Sequence, residues 1–269
     1  MISLNDLRRF KAEGRKFSCL TCYDASMAKA FEVAGIDSIL IGDSLGMTIQ
    51  GHDSTLPVTV DDMVYHTAVV RRGNQHAFIM TDLPFMSYAT LNDALQNSKK
   101  VMQAGAQMVK MEGGAWLAET VEVLNRNGIP VCVHLGLTPQ SVHVFGGYKL
   151  QARSRAAADQ LIADCQAVVA AGAALLLLEC VPAQLGKEIA DLFPHVPVIG
   201  IGAGVDTDGQ VLVVQDMLGL NFGHTAKFVR NFMTEQSGSN AIVDAFKAYH
   251  DAVLDQTFPA PEHTFQVEL

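Results

Sequence analysis

The sequence predicts a single (β/α)8 barrel, a TIM barrel, with its active site at the C-terminal ends of the strands. Eight short apolar segments alternate with helical stretches, a pattern typical of a parallel sheet covered by helices. No linker or shift in composition divides the 269 residues, so we expect one domain over 1–269, with a short N-terminal helix and a loose tail from about 258. A doubly wound open sheet is the alternative, but it favours a glycine-rich turn after the first strand, where this chain has Cys22-Tyr23-Asp24.

The predicted strands are short apolar runs bounded by turn residues. The run from Ile36 to Ile41 is rich in β-branched residues and lies between Gly35 and Gly42, as is typical of a buried parallel strand. Asp24 is predicted to cap the first barrel helix, and Gly35 to end it. In order, the predicted strands are 17–22, 36–42, 77–81, 107–111, 131–134, 174–178, 196–201 and 211–215. The predicted helices are 24–34, 60–72, 91–104, 115–127, 154–171, 182–192 and 225–254.

Composition limits the classes of partner. The net charge of -9 and the pI near 5.4 argue against nucleic acid and anionic membranes, because both require a basic face. The first 17 residues lack the pattern of a secretory signal, and the longest apolar run, Ala167 to Leu178, is too short to span a bilayer. Five scattered cysteines predict buried, reduced thiols, although Cys19 and Cys22 have the spacing of a redox or metal pair. We therefore expect a cytoplasmic protein that acts on small molecules.

Polar side chains stand at the carboxyl ends of five predicted strands. In a closed barrel these ends form one rim, and the loops that follow them build the active site. A helix cap or a rim ion pair is the simpler interpretation of any one position, but the convergence of so many favours a site. The residues are Asp43, Asp82, Lys110 with Glu112, His134 and Glu179.

The types of these residues predict the chemistry. Asp43, Asp82 and Glu112 are hard oxygen ligands without a nearby cysteine or paired histidine, which favours a Mg²⁺-like ion over structural zinc. Lys110 would hold a substrate carboxylate as a fixed positive charge. Glu179 follows four leucines, and an apolar setting would let this acid accept a proton near neutral pH. A metal that polarises a 2-oxo acid makes the neighbouring C–H acidic, so we expect enolate chemistry.

Two long loops and a glycine run complete the candidate features. The loop 43–58 is rich in Gly, Thr, Ser and Pro, and the loop 136–149 is a candidate lid. The run Gly200-Ile201-Gly202-Ala203-Gly204 is compatible with a phosphate site, which barrels often place there, and equally with close backbone packing.

Seven short blocks of the chain, in order, match the pattern of one known family. They are GDSLGM at 42–47, GHDST at 51–55, DLPFM at 82–86, VKMEGG at 109–114, HLGLTPQ at 134–140, FGGY at 145–148 and GIGAG at 200–204. These blocks closely resemble the ketopantoate hydroxymethyltransferase family, over about 4–258. The resemblance implies a (β/α)8 barrel that transfers a hydroxymethyl group from 5,10-methylenetetrahydrofolate to 3-methyl-2-oxobutanoate, giving 2-dehydropantoate in the first step of pantothenate biosynthesis.

The resemblance also implies roles for the polar residues of the rim. By motif, Asp43 and Asp82 match Mg²⁺ ligands that also neighbour the oxo acid, and Glu112 matches the third acidic residue of the metal site. Ser44 and Lys110 match residues that hold the oxo acid.

Further expectations follow from the same family. His134 matches a histidine that lines the pocket, and Glu179 matches the proton acceptor at C3 of the substrate. The family implies a cytoplasmic homo-oligomer, a decamer built from five dimers. It has no phosphate site at the glycine run, which favours the packing interpretation. Lys149 and Lys227 are the basic residues we consider for the folate.

Two rival functions stay open at this point. An enzyme of the phosphoenolpyruvate mutase and isocitrate lyase type also uses Mg²⁺ and enolates on a barrel, but it normally carries a catalytic cysteine loop, which the chain lacks after its fourth and fifth predicted strands. A catalytically inactive barrel that serves as a binding subunit is the other. Intact Asp43, Asp82 and Glu179 argue against it.

Overall fold

A computed structural model of the chain, which describes residues 1–221, 223 and 225–267, is a closed barrel of eight parallel strands. Each strand pairs with its sequence neighbours, and β8 returns to pair with β1, so the predicted (β/α)8 barrel is confirmed. The strands are β1 (Phe17–Thr21), β2 (Ser38–Ile41), β3 (Phe78–Asp82), β4 (Met108–Glu112), β5 (Val131–Gly136), β6 (Leu175–Glu179), β7 (Val198–Ile201) and β8 (Gly209–Leu212).

Helices surround the barrel and build parts of both rims. The bounds are α1 (Leu4–Ala12), α2 (Ala25–Ala34), α3 (Leu45–Thr48), α4 (Val60–Gly73), α5 (Leu91–Gln103), α6 (Ala118–Arg126), α7 (Val142–Phe145), α8 (Arg155–Ala170), α9 (Ala183–Leu192), α10 (Val214–Met217) and α11 (Ala241–Leu254). In the part of the chain that the structure describes, no helix is both long and apolar enough to cross a membrane.

The helix ends follow the local chemistry of the sequence. The Asp24 carboxylate accepts a hydrogen bond from the backbone N–H of Met27 at 2.8 Å, and Gly35 ends α2 with φ of 85°. That conformation is one that glycine adopts without the steric cost of a Cβ atom. Thr59 begins α4 in a reciprocal capping box with Asp62. The cap and stop predicted for α2 are therefore confirmed.

The core is continuous across the barrel interior and the helix layer. Residues Leu175–Leu178 of β6 are all buried, as expected for a parallel strand with both faces covered. Tyr249 of α11 lies across the seam between β1 and β8, with its hydroxyl 2.9 Å from the carbonyl oxygen of Cys19 and 2.8 Å from that of Gln210. All five cysteines are free and buried, which confirms their expected state.

Helix α1 closes the amino end of the barrel. Its Lys11 ammonium lies 2.7 Å from the Asp208 carboxylate, just before β8, and donates to the carbonyl oxygens of Ala190 and Val196. The same Asp208 oxygen accepts the backbone N–H of Val198 at the start of β7. The amino end is thus sealed by a compact ion pair, which leaves the carboxyl end as the open face.

Several predicted features differ from the structure, and the two predicted long loops each contain a short helix, α3 and α7. Strand β8 is Gly209–Leu212 rather than 211–215. Gly209 pairs with both Phe17 and Ile199 although it carries no apolar side chain, and residues 214 and 215 belong to α10. The helix predicted over 225–254 is wrong over its first part, since only Ala241–Leu254 is helical. The preceding segment instead packs on the barrel, with Phe232 buried and its backbone N–H donating to Met217 at 2.8 Å.

The segment expected to be a loose tail also lies against the barrel. The backbone N–H of Ala183, at the start of α9, donates to the carbonyl oxygen of Phe265 at 2.9 Å. Thr264 is buried and its carbonyl oxygen accepts a hydrogen bond from Lys227. These bonds satisfy backbone groups that a loose tail would leave to solvent, and they place Phe265 at the open face.

Candidate active site

The six polar residues predicted for the rim lie around one cavity at the carboxyl end of the barrel. The cavity has a volume of about 600 Å³. Asp82, Glu112 and Glu179 are the last residues of β3, β4 and β6. Asp43 follows β2 after one residue, Gly42, and the remaining two side chains enter from β4 and β5. All six residues line the cavity: Asp43, Asp82, Lys110, Glu112, His134 and Glu179.

Two aspartates and a lysine form the most buried part of the cluster. One oxygen of Asp82 accepts the backbone N–H of Asp43 at 3.0 Å, and its other oxygen lies 3.0 Å from the Lys110 ammonium. Lys110 also lies 3.7 Å from Glu112, which shares its face of β4 because side chains alternate along a strand. Asp43, Asp82, Lys110 and Glu112 are all buried, with only a few per cent of each exposed.

His134 joins the buried carboxylate to the outer one. Its Nδ1 lies 3.1 Å from Oε1 of Glu112 and 3.1 Å from the Lys110 ammonium, and its Nε2 lies 3.2 Å from Oε2 of Glu179. The Glu179 side chain is 14% exposed, against 3% for Glu112. Glu179 is therefore the carboxylate that reaches furthest into the open cavity, and His134 stands behind it.

Ser44 lines the same cavity from the turn that leads into α3. Its hydroxyl lies 2.8 Å from the hydroxyl of Tyr23, which comes just after β1. Burial raises the pKa of Tyr23 to about 12, so this phenol is protonated and remains available as a neutral hydrogen-bond partner.

Gln140 is a site residue that the strand-end pattern does not reveal. Its amide nitrogen donates to the Asp43 carboxylate at 2.8 Å, and its backbone N–H donates to Glu112 at 2.9 Å. The hydroxyl of Tyr88 donates to the Gln140 side-chain oxygen at 2.7 Å. Gln140 therefore fixes two carboxylates, Asp43 and Glu112, at once, and its place in the block HLGLTPQ was the sequence signal that could have indicated it.

The electrostatics of the cluster show an excess of buried negative charge. Burial raises the pKa of Asp43 well above its ordinary value, and the nearby charges of Asp82 and Glu112 raise it further. Burial also raises the pKa of Asp82, although Lys110 opposes the shift. Burial lowers the pKa of Lys110, but the surrounding carboxylates outweigh that effect and raise it. Lys110 is therefore a permanent positive charge.

His134 and Glu112 stabilise each other's charged forms. Burial and the Lys110 charge lower the pKa of His134, but Glu112 and Glu179 outweigh them and raise it to about 8. Burial raises the pKa of Glu112, and the His134 and Lys110 charges reverse this, so that the net shift is downward. At neutral pH Glu112 is ionised and His134 carries a proton between two carboxylates.

The acidic cluster suits a divalent cation, although its side chains are not arranged as a complete set of metal ligands. Within 1–221, 223 and 225–267, no three His, Cys, Asp or Glu side chains form a ready-made metal site. Oδ1 of Asp82 is buried and lies 3.0 Å from the Lys110 ammonium without forming a hydrogen bond to it, and Asp43 bears the repulsion described above. An oxygen-binding cation that keeps several water molecules would relieve both, as Mg²⁺ does. The donor set therefore fits this ion.

The glycine run after β7 is a packing feature. A Cβ atom at Gly200 would lie 2.7 Å from Oγ1 of Thr207, and one at Gly204 would lie 2.8 Å from Ala183. Gly204 also has a φ of 89°, which a larger residue adopts only with strain. These contacts support the packing interpretation over a phosphate site.

The loop predicted as a candidate lid borders the mouth of the cavity. Tyr148 is half exposed, and its hydroxyl lies 3.6 Å from Sδ of Met47 in α3. Tyr148 and Lys149 line the cavity on this side, while Lys227 lines it from the segment before α11. The two lysines considered for an anionic ligand therefore both border the site.

The fold and the site together define the class of protein. Carboxylates, a lysine and a histidine converge in one deep cavity at the C-terminal rim of a (β/α)8 barrel, which is the arrangement of a barrel enzyme. The family model described as ketopantoate hydroxymethyltransferase matches residues 1–261. The chain belongs to this family, which confirms the resemblance found in the sequence, and it is an enzyme of the transferase class.

Named relatives match over the full length of the chain. A protein of Acinetobacter baylyi named 3-methyl-2-oxobutanoate hydroxymethyltransferase is 83% identical over 269 residues, with 100% of both chains covered. One of the same name from Acinetobacter baumannii is 84% identical with the same coverage. Another from Marinomonas sp. is 59% identical over 265 residues, which cover 98% of this chain and 95% of the relative.

Solved structures of other enzymes share the fold at low sequence identity. Phosphonopyruvate hydrolase has a TM-score of 0.62 and 13% identity, covering 82% of this chain and 84% of its own. A 2,3-dimethylmalate lyase, described as a member of the PEP mutase/isocitrate lyase superfamily, has a TM-score of 0.59 and 14% identity, covering 79% and 81%. At these identities the likeness concerns the fold alone.

Proposed function

We propose that the chain transfers a hydroxymethyl group from 5,10-methylenetetrahydrofolate to 3-methyl-2-oxobutanoate and so forms 2-dehydropantoate, the first step of pantothenate biosynthesis. The observation that carries the proposal is the convergence of Lys110, the acidic cluster and Glu179 in one cavity of a chain that belongs to this family. The names of its relatives support the same acceptor.

Lys110 and Ser44 bind the oxo acid. A buried ammonium that keeps its charge attracts the substrate carboxylate and fixes its position. The Ser44 hydroxyl, held 2.8 Å from Tyr23, supplies a neutral hydrogen bond. Together they orient the substrate, which lowers the entropic part of the barrier.

Asp43, Asp82 and Glu112 would hold Mg²⁺. When bound, the ion polarises the carboxylate and keto oxygens of the oxo acid and makes its C3 proton more acidic. Gln140 keeps Asp43 and Glu112 in place through its two hydrogen bonds, a contribution of the kind that outer residues make at metal sites.

Glu179 removes the C3 proton. It is the carboxylate of the cluster that extends furthest into the cavity, and His134 behind it holds its orientation from 3.2 Å. The electron pair of the C3–H bond becomes the enolate. C3 of the enolate then bonds to the methylene carbon of the ring-opened folate iminium, and the C=N electron pair moves to the nitrogen. The oxygen of a water molecule bonds to that carbon as the C–N bond breaks, and the proton that water loses goes to the nitrogen, which leaves as tetrahydrofolate.

The cysteines of the barrel argue against the lyase-type rival. Cys180 lines the cavity next to Glu179, but burial and that neighbouring carboxylate raise the pKa of its thiol. The reactive form of cysteine is the thiolate, so Cys180 is an inert thiol at neutral pH.

We further propose that the enzyme is cytoplasmic and works as a homodecamer built from five dimers. The expected particle contains ten copies of the 29.0 kDa chain, about 290 kDa. Light scattering coupled to gel filtration tests the assembly, and a monomer peak at catalytic concentrations would contradict it.

The reaction is tested with a donor that carries ¹³C in the methylene group. The purified enzyme is incubated with this donor, 3-methyl-2-oxobutanoate and Mg²⁺, and carbon NMR follows the label. We expect the label in the hydroxymethyl group of 2-dehydropantoate, with no transfer by the Asp82→Asn variant. Failure of the wild-type enzyme to move the label would overturn the proposed function.

A further inference from the structure

The cavity is larger than its proposed acceptor. 3-Methyl-2-oxobutanoate has only eight non-hydrogen atoms, whereas a cavity of about 600 Å³ is of the size that holds a drug-sized ligand. The residues proposed to hold the acceptor come from the loops and strands β2 to β4. The other side of the cavity, formed after β7 and β8, has no role in that binding.

The side formed after β7 and β8 is lined by aromatic rings. Phe228 and Phe265 both fill the space over Gly202, since a Cβ atom there would lie 2.9 Å from Cδ1 of Phe228 and 3.2 Å from Cε2 of Phe265. Both rings line the cavity. A flat, largely apolar ligand could lie against such a wall, because aromatic surfaces bury well against one another.

One carboxylate, Asp216 of α10, faces this same part of the cavity. Asn221 donates to its Oδ1 at 3.1 Å. Its Oδ2 has no hydrogen-bond partner among the described residues, and burial raises the pKa of the group. A partly buried carboxylate with an open oxygen attracts a ligand that offers N–H donors, since such bonds restore its lost hydration.

We propose that Asp216 binds the amino-pyrimidinone edge of the reduced pterin ring of the folate donor. This inference rests on the proposed function. The ring N3–H and the 2-amino group point in the same direction and are spaced so that one carboxylate can accept from both, as it does from a guanidinium. Phe228 and Phe265 then border the ring.

The position of this subsite agrees with the proposed chemistry. In the order of strands around the barrel, Glu179 at the end of β6 lies between β2 to β4, which hold the acceptor, and β8, which precedes Asp216. A donor held near Asp216 therefore approaches C3 of the acceptor beside Glu179, the proposed base. Lys149 and Lys227 border the same cavity and form no ion pair with any carboxylate in the described part of the chain. They provide positive charge for the anionic glutamate tail of the donor.

The test measures binding of tetrahydrofolate and of 6-methyltetrahydropterin, by titration calorimetry with the oxo acid and Mg²⁺ present. Asp216→Asn keeps the shape of the side chain but replaces an acceptor by a donor. We expect its Kd for both ligands to rise roughly 10- to 100-fold. Asp206→Asn, at an exposed aspartate that does not line the cavity, is the matched control for lost charge and leaves both Kd values unchanged.

A second ligand makes the test specific to the contact. The pterin without its 2-amino group should bind the wild-type enzyme at least tenfold more weakly than 6-methyltetrahydropterin, and the two should bind Asp216→Asn almost equally. Thermal unfolding of the variant checks that it is folded. If the folded variant binds tetrahydrofolate as tightly as wild type does, the inference is wrong. If wild type itself does not bind tetrahydrofolate, the proposed donor is wrong.

Discussion

The two ends of the barrel both contain buried ionic groups, but they balance charge in opposite ways. At the amino end each carboxylate has its own cation: Asp208 pairs with Lys11 at 2.7 Å, and Asp37 pairs with Arg15 at 2.8 Å. At the carboxyl end four carboxylates share Lys110 and one histidine, and the pKa of Asp43 is raised well above its ordinary value.

This difference in charge balance indicates that the amino end contributes to stability and the carboxyl end to function. A buried pair whose hydrogen bonds are complete holds elements together, although burying the charges offsets much of the gain. The carboxyl end instead retains uncompensated negative charge, a cost that a fold accepts where a cation and substrate complete the site. Changes at the amino end should therefore alter stability alone, and changes at the carboxyl end should alter chemistry.

The largest effect is expected from Glu179→Gln. The amide cannot accept the C3 proton, so we expect exchange of that proton with solvent to fall about 1000-fold. Affinity for the oxo acid should change less than threefold, because Lys110 and Ser44 are the proposed binding contacts. Proton NMR in D₂O measures the exchange, and calorimetry measures the affinity. Loss of binding without folding defects would assign Glu179 a structural role.

Lys11→Met should give the largest loss of stability. It leaves the Asp208 carboxylate and two carbonyl oxygens without their cation, so the free energy of unfolding should fall by about 3 kcal/mol. Urea unfolding measures this change. Lys187→Met, which removes an exposed pair with Asp191, is the control and should not shift the midpoint. A loss of kcat in the folded Lys11→Met variant would contradict the claim that changes at the amino end alter stability alone.

Gln140→Leu should weaken the metal site without destroying it. The variant removes the donor to Asp43 but keeps the backbone N–H that serves Glu112. We expect the Mg²⁺ concentration for half-maximal C3 exchange to rise about tenfold. An unchanged Mg²⁺ requirement would show that Gln140 does not position the carboxylate.

The smallest expected effect is the contribution of His134 to the pH dependence of the free energy of unfolding. Its pKa is about 8 in the folded chain, above the ordinary value near 6.5, so the proton is bound more tightly in the folded state. The stabilisation is fully present below pH 6.5 and is lost as the pH rises through 8, by about 1–2 kcal/mol. Urea unfolding with chelator at pH 6, 7 and 9 measures it. His134→Gln should lack this fall, and an equal fall in the variant would assign it to other groups.

The barrel and its charged residues were predictable because their signals are local. A buried parallel strand is a run of apolar residues, and five of the predicted strands end at charged or polar side chains. Gly209 and Gln210 carry no such signal, since β8 is defined by its pairing with β1 and β7. The segment before α11 has helical composition, but burial of Phe232 overrides that preference.

The neutral and distant members of the site were not predictable in this way. Gln140 reaches Asp43 across 97 positions of sequence, and an amide side chain gives no sign of such a contact. Likewise, Tyr88 contacts Gln140, and Asp216 lines the cavity, only because the barrel closes. Charged residues at strand ends are visible in the sequence, whereas the groups that position them depend on topology.

The most direct test of the central claim is proton NMR of 3-methyl-2-oxobutanoate in D₂O with wild-type enzyme, with and without Mg²⁺ and with no folate. The claim is that the carboxyl rim of this barrel removes the C3 proton with the help of a divalent cation. The account predicts loss of the C3 proton signal only when Mg²⁺ is present. No loss of the signal with Mg²⁺, even after tetrahydrofolate is added, would contradict it.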